Sequence, residues 1–165
     1  MPWLLSGLLL APLCHADPVP EGKMKVAFLY NFGLQTEWPA STGSTLRLCV
    51  LSQDPFAESM NDIDGQEVNG RKLQIVRLSS TTEVKACQIL YLGEAETPRV
   101  KSILNTLNDA PVLTVSDDAN LAKSGIMISM FMTNRRLVFN VNTNPVKRSG
   151  LTLSSRLLRL AKNVD

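Results

Sequence analysis

The chain has 165 residues, 44% of them hydrophobic, with 17 lysines and arginines against 15 acidic residues. A net charge of +2 is too mild to mark nucleic acid or an anionic membrane as a partner. One histidine and three cysteines leave little material for metal or triad chemistry.

Residues 1–16 (MPWLLSGLLLAPLCHA) carry no Lys, Arg, Asp or Glu. The apolar run from Trp3 to Leu13 suits a secretory signal and is too short to span a bilayer. Cys14 and Ala16 supply the small residues of a cleavage site before Asp17, although no basic residue precedes the run. A lipid-anchored Cys14 is the weaker alternative, because Leu13 stands where a small residue is needed. A buried N-terminal helix is opposed by Pro18 and Pro20, which break its continuation. Residues 17–165 are expected to form one domain. Cleavage would remove His15, the only histidine, and leave two cysteines.

Lys23–Trp38 is predicted as a helix packed on more than one side, since its apolar residues lie almost all round, and Pro39 ends it. Leu46–Leu51 reads as a buried strand. Asp54-Pro55 opens a short helix over Phe56–Asn61. Asp64-Gly65 and Asn69-Gly70 are turns around a brief extended piece, Gln66–Val68. Leu73–Leu78 is the second main strand and Cys87–Leu92 the third, with a polar connection, Ser79–Val84, after Leu78. From Thr97-Pro98 an amphipathic helix carries Val100, Ile103, Leu104 and Leu107 at helical spacing. Val112–Val115 is the fourth strand, and Ser116-Asp117-Asp118 reads as the cap of a short helix through Ala122. Gly125–Met132 and Leu137–Asn142 form a hairpin around Thr133–Arg136, with Ile126, Ile128, Met130 and Met132 on one face. Asn144-Pro145 starts a short helix, and Ser154–Val164 reads as a terminal amphipathic helix.

This order predicts an α/β fold: a three-layer sandwich with a mainly parallel sheet, flanking helices and a C-terminal antiparallel hairpin. In such a doubly wound sheet the strands holding Cys49 and Cys87 are near neighbours, within disulfide reach. Two cysteines of an exported chain normally pair; two buried free thiols are the alternative. No Cys-x-x-Cys, Gly-x-Gly-x-x-Gly or Walker sequence occurs, so no redox, dinucleotide or P-loop site is expected. Asp117-Asp118 admits a magnesium or acid–base reading beside the blander one of a cap and a solvated acid. Arg135, Arg136, Lys147, Arg148, Arg156 and Arg159 crowd near the C-terminus and form a candidate patch for an anionic ligand or acidic partner; solvated charge is the plainer reading. The hairpin methionines suit either the core or an adaptable contact surface. No cofactor, metal site or catalytic residue is expected.

Several ordered segments resemble the YfiR-like family of exported bacterial proteins. They are Val26–Pro39, Leu46–Phe56, Gly65–Leu78, Ala86–Gly93, Pro111–Asp117, Leu137–Asn142 and Ser149–Val164. The resemblance implies a non-enzymatic periplasmic regulator that binds and represses the periplasmic domain of an inner-membrane diguanylate cyclase, lowering cyclic di-GMP and biofilm formation. A sensor kinase is the other implied partner, and a homodimer is a further expectation. Cys49 and Cys87 match the family's more general disulfide, while the C-terminal second pair of its best-studied member has no counterpart here. A small-anion-binding protein using the C-terminal arginines is the rival reading.

Overall fold

The computed structural model describes residues 17–39, 43–51, 53–119 and 121–165; the expected export signal lies outside them. Helix α1, Glu21–Leu34, buries Val26, Leu29, Phe32 and Gly33. It stops four residues short of the predicted end. Gln35 donates its N–H to the Asn31 carbonyl and the Thr36 hydroxyl to the Phe32 carbonyl, after which Thr36–Glu37 extends as strand β1. Trp38 is therefore outside the helix, its indole N–H bonded to the Gln88 carbonyl at 3.1 Å.

Strand β2 runs over Thr45–Leu51 and helix α2 over Ala57–Ile63. The short strand β3, Glu67–Val68, turns through Asn69-Gly70, both at positive φ, into β4, Arg71–Leu78. A 3₁₀ segment, Thr81–Ala86, is capped by the Ser80 hydroxyl and leads to β5, Ile89–Leu92. A second 3₁₀ segment, Glu94–Arg99, precedes helix α3, Val100–Leu107, which buries Val100, Ile103 and Leu107. Strand β6 covers Leu113–Ser116.

The hairpin is β7, Ile128–Thr133, and β8, Arg136–Val141, joined by the two-residue turn Asn134-Arg135 with both residues at positive φ. Ile126 lies before the strand rather than on its face. Ile128 and Met130 point into the core, whereas Met132 at the tip is exposed. Helix α4, Thr143–Arg148, is followed by β9, Thr152–Leu153, which pairs antiparallel with β1. Helix α5 spans only Ser155–Leu160, and the chain then extends as β10, Asn163–Val164, beside β8. The predicted single helix to Val164 is thus replaced by a helical turn and an edge strand. The tail's backbone donors reach β8 instead of continuing the helix: Lys162 N–H to the Phe139 carbonyl and Asp165 N–H to the Val141 carbonyl.

The large sheet has the order β10-β8-β7-β6-β5-β2-β4-β3. Strands β4, β2, β5, β6 and β7 are mutually parallel; β3 is antiparallel to β4, and β8 is antiparallel to β7 and parallel to β10. Alternation along the strands splits the core. Leu46, Leu48 and Val50 of β2, with Ile89 and Tyr91 of β5, face the cluster built on α1 and α2. Cys49 and Leu51, with Leu90 and Leu92, face the cluster built on α3. The fold is the layered α/β arrangement with a mostly parallel sheet that the element order implies. Cys49 and Cys87 are joined by a disulfide in the second cluster, with Cα atoms 6.0 Å apart.

Candidate functional site

Two concave regions gather the side chains of interest. The first is an apolar groove of about 900 Å³ between α1, the hairpin and α5. The aromatic residues that make α1 apolar all round build its wall: Phe28 and Phe32 stand edge to face, 5.9 Å apart, and Phe139 from β8 meets them at 6.0 and 5.1 Å. Leu137, Leu157 and Leu160 complete the apolar lining, and Leu160 is 67% exposed. An unburied leucine at the mouth of an apolar groove marks a contact surface more than a core. Arg136, Arg156 and Lys162 stand on the rim.

Among the arginines singled out in the sequence, the fold brings Arg136 and Arg156 to this groove. Arg148 lies elsewhere and pairs with Asp109 at 3.2 Å. Arg135 forms the hairpin turn and Arg159 lies exposed on α5, and neither lines the groove. Lys147 is exposed on α4. The charge run in sequence is therefore divided over several faces; of its members only Arg136 and Arg156 acquire an apolar floor, where Lys162, outside that run, joins them.

The second region is a cleft of about 790 Å³ at the carboxyl ends of β2, β5 and β6. Asp117 does not cap a helix, contrary to the sequence reading; it anchors a chain of polar contacts. Lys25 of α1 donates to Asp117 at 2.8 Å and reaches Glu21 at 2.6 Å, while the Tyr91 hydroxyl donates to the other Asp117 oxygen at 2.5 Å. Asp118 accepts from the Thr97 hydroxyl at 2.8 Å. Burial works to lower the Lys25 pKa, but hydrogen bonds to Asp117 and Glu21 hold it above the ordinary lysine value. Burial, with the Asp117 carboxylate beside it, pushes the Tyr91 phenol well up, so it stays protonated. The hydrogen bond to Glu96 raises Arg99 against a smaller opposing effect of burial. This network was not legible in the sequence. Its one pointer is Lys25, which follows Lys23 at the start of a mostly apolar helix.

Among the described residues no three His, Cys, Asp or Glu side chains cluster to hold a metal ion, and no helix is long and apolar enough to cross a membrane. In fold, the chain is similar to a conserved domain protein from Vibrio cholerae O1 biovar El Tor, with a TM-score of 0.56 and 9% identity over 88% of this chain and 60% of that one. It is similar to the same degree to the ABC domain in complex with L-Trp from Streptococcus pneumoniae, with a TM-score of 0.56 and 8% identity over 87% and 60%. The chain spans about three fifths of each of these structures, and at such identities the likeness concerns architecture alone. At the level of sequence, the YfiR/HmsC-like family (DUF4154) matches residues 22–162, from the first turn of α1 to the threshold of β10. This chain belongs to the YfiR/HmsC-like family.

Proposed function

We propose that this protein is a non-enzymatic periplasmic regulator that represses a membrane-bound diguanylate cyclase by binding its periplasmic region, lowering cyclic di-GMP and biofilm formation. The observation that carries the reading is family membership across residues 22–162. The Cys49–Cys87 disulfide supports an oxidising compartment.

The groove supplies a surface on which such binding is physically reasonable. Its floor is aromatic and aliphatic, and its rim carries three cations, so the fitting occupant is an apolar segment of the cyclase flanked by acidic residues. Burial of the apolar segment contributes affinity, while Arg136, Arg156 and Lys162 orient it and speed encounter.

Deleting the gene is expected to raise cyclic di-GMP; an unchanged level in every growth condition would sink the cyclase reading. Leu160→Asp on the purified protein tests the surface, because Leu160 is exposed and the fold does not need it. Losing burial of one large apolar side chain, about 1.5–3 kcal/mol, is expected to weaken binding of the cyclase's periplasmic domain at least about tenfold by calorimetry. A variant that binds the cyclase domain normally and changes only its own oligomeric state would make the groove a self-association surface instead.

A further inference from the structure

A strand turns its side chains alternately to the two faces of a sheet, so a groove on one face is lined by every second residue. The groove beside α1 is lined by Arg136, Leu137, Val138 and Phe139 in unbroken succession. It therefore reaches round the edge of β8. Strand β10 covers that edge only in part, opposite Asn140 and Val141. Lys162 and Asp165 donate to the carbonyls of Phe139 and Val141, so the odd-numbered residues of β8 turn their backbone groups this way. Leu137 is the next of that series. The chain ahead of Lys162 has by then turned off into α5, where Ala161 donates its N–H to the Leu157 carbonyl. Among the described residues nothing pairs with the outward N–H and C=O of Leu137, a residue only 9% exposed. Sheltered backbone groups without a partner are uncommon, and an unpaired strand edge is a template for another strand.

The surroundings of this edge select its occupant. Phe28, Phe32, Leu157 and Leu160 make the groove apolar beside it. The rim is positive and unbalanced: no acidic side chain of the described residues pairs with Arg136, Arg156 or Lys162. A second copy of this chain, added edge to edge, would set the same cations against these, and like charges disfavour that pairing. An acidic partner gains where the second copy loses.

We propose that the docked segment adds a strand to β8 at Leu137, in line with β10, with alternate apolar side chains in the groove and acidic residues at its ends meeting Arg136 and Arg156. The inference rests on the groove being a docking surface, as above, and adds how the segment is held. An extended segment offers its backbone N–H and C=O groups to the strand edge, whereas a helix has already spent its own internally.

The probe is a capped peptide, Asp-Asp-Val-Thr-Val-Thr-Val-Asp-Asp, titrated into the full chain. Saturable binding is expected, and residue-resolved hydrogen exchange should slow at the Leu137 amide about tenfold or more. Two N-methylated analogues, one on the valines and one on the threonines, separate strand addition from side-chain docking. Alternate N–H groups of a strand face opposite edges, so one analogue is expected to lose binding and the other to keep it. Arg156→Glu, exposed on α5, is expected to weaken binding about tenfold, and Lys101→Glu, exposed on α3, to leave it unchanged. Absence of saturable binding into the millimolar range, equal behaviour of the two analogues, or an unprotected Leu137 amide at saturation would overturn the proposal. No arm contains a cyclase, so failure here leaves the repressor reading to the gene deletion, and an unchanged cyclic di-GMP level there would not alter this result.

Discussion

Lys25 shows how a single residue can be misjudged when its partner lies 92 positions away. In sequence it is one of three charges in the first turns of a mostly apolar helix, and Asp117 is one of two aspartates after a strand. Folding makes them a pair, with side chains only 12% and 15% exposed, and puts Tyr91 on the remaining carboxylate oxygen. The phenol has an ordinary pKa of 10.0 in the unfolded chain and a raised one in the fold. Its contribution to stability is therefore complete below about pH 10 and falls as pH rises further, at up to about 1.4 kcal/mol per pH unit. Lys25, also raised above its unfolded value, loses its contribution in the same direction at slightly higher pH. Tyr91→Phe is expected to cost about 1 kcal/mol at neutral pH, the worth of one hydrogen bond, and to make the alkaline decline shallower. Urea unfolding at neutral pH and near pH 11 checks both. An equally steep alkaline decline in the variant would show that Tyr91 does not titrate as argued.

Among the elements, long periodic segments were legible and, apart from β3 between its two turn signals, short paired ones were not. β2, β4, β5 and β6, the amphipathic α3 and the hairpin lie where the pattern puts them, because four or more residues are enough for alternation or helical spacing to show. β1, β9 and β10 have two residues each, too few for any period, and exist only through their partners. The tail after α5 is the clearest case: SRLLRLAKNV has good helical spacing, yet Ala161 leaves the helix for extended backbone with ψ 143°. What the sequence could not convey is that β8 would otherwise present an open edge. Covering such an edge prevents strand addition by another chain. Truncation after Leu160 is accordingly expected to increase self-association relative to the full chain in sedimentation velocity. If the truncated chain sediments as the full chain does, β10 is a passenger and not an edge guard.

For the molecule as a whole, the sheet order decides which sequence features become sites. Strand identity and the mainly parallel class could be read from the residues, but the cleft depends on which way each connection crosses, and the groove on α1, β8 and α5 converging from the two ends of the chain. The disulfide belongs to the same scale. It ties β2 to Cys87, two residues before the neighbouring strand β5, on the α3 side of the sheet, and both cysteines are at most 1% exposed. A thiolate must approach the disulfide in line to reduce it, and burial on this scale denies that approach in the folded state. These positions favour a structural staple over a redox switch. Closing a loop with a sequence separation of 38 is worth about 4 kcal/mol by chain entropy, or about 10 °C in Tm for a domain of this size. The Cys49→Ala/Cys87→Ala double variant is expected to lose roughly that much and, on the proposed function, to leave cyclic di-GMP at the level found with the unaltered protein. The native protein should exchange with reduced glutathione no faster than it unfolds. Rapid reduction of the folded protein, accompanied by a change in cyclic di-GMP, would instead make Cys49–Cys87 the switch.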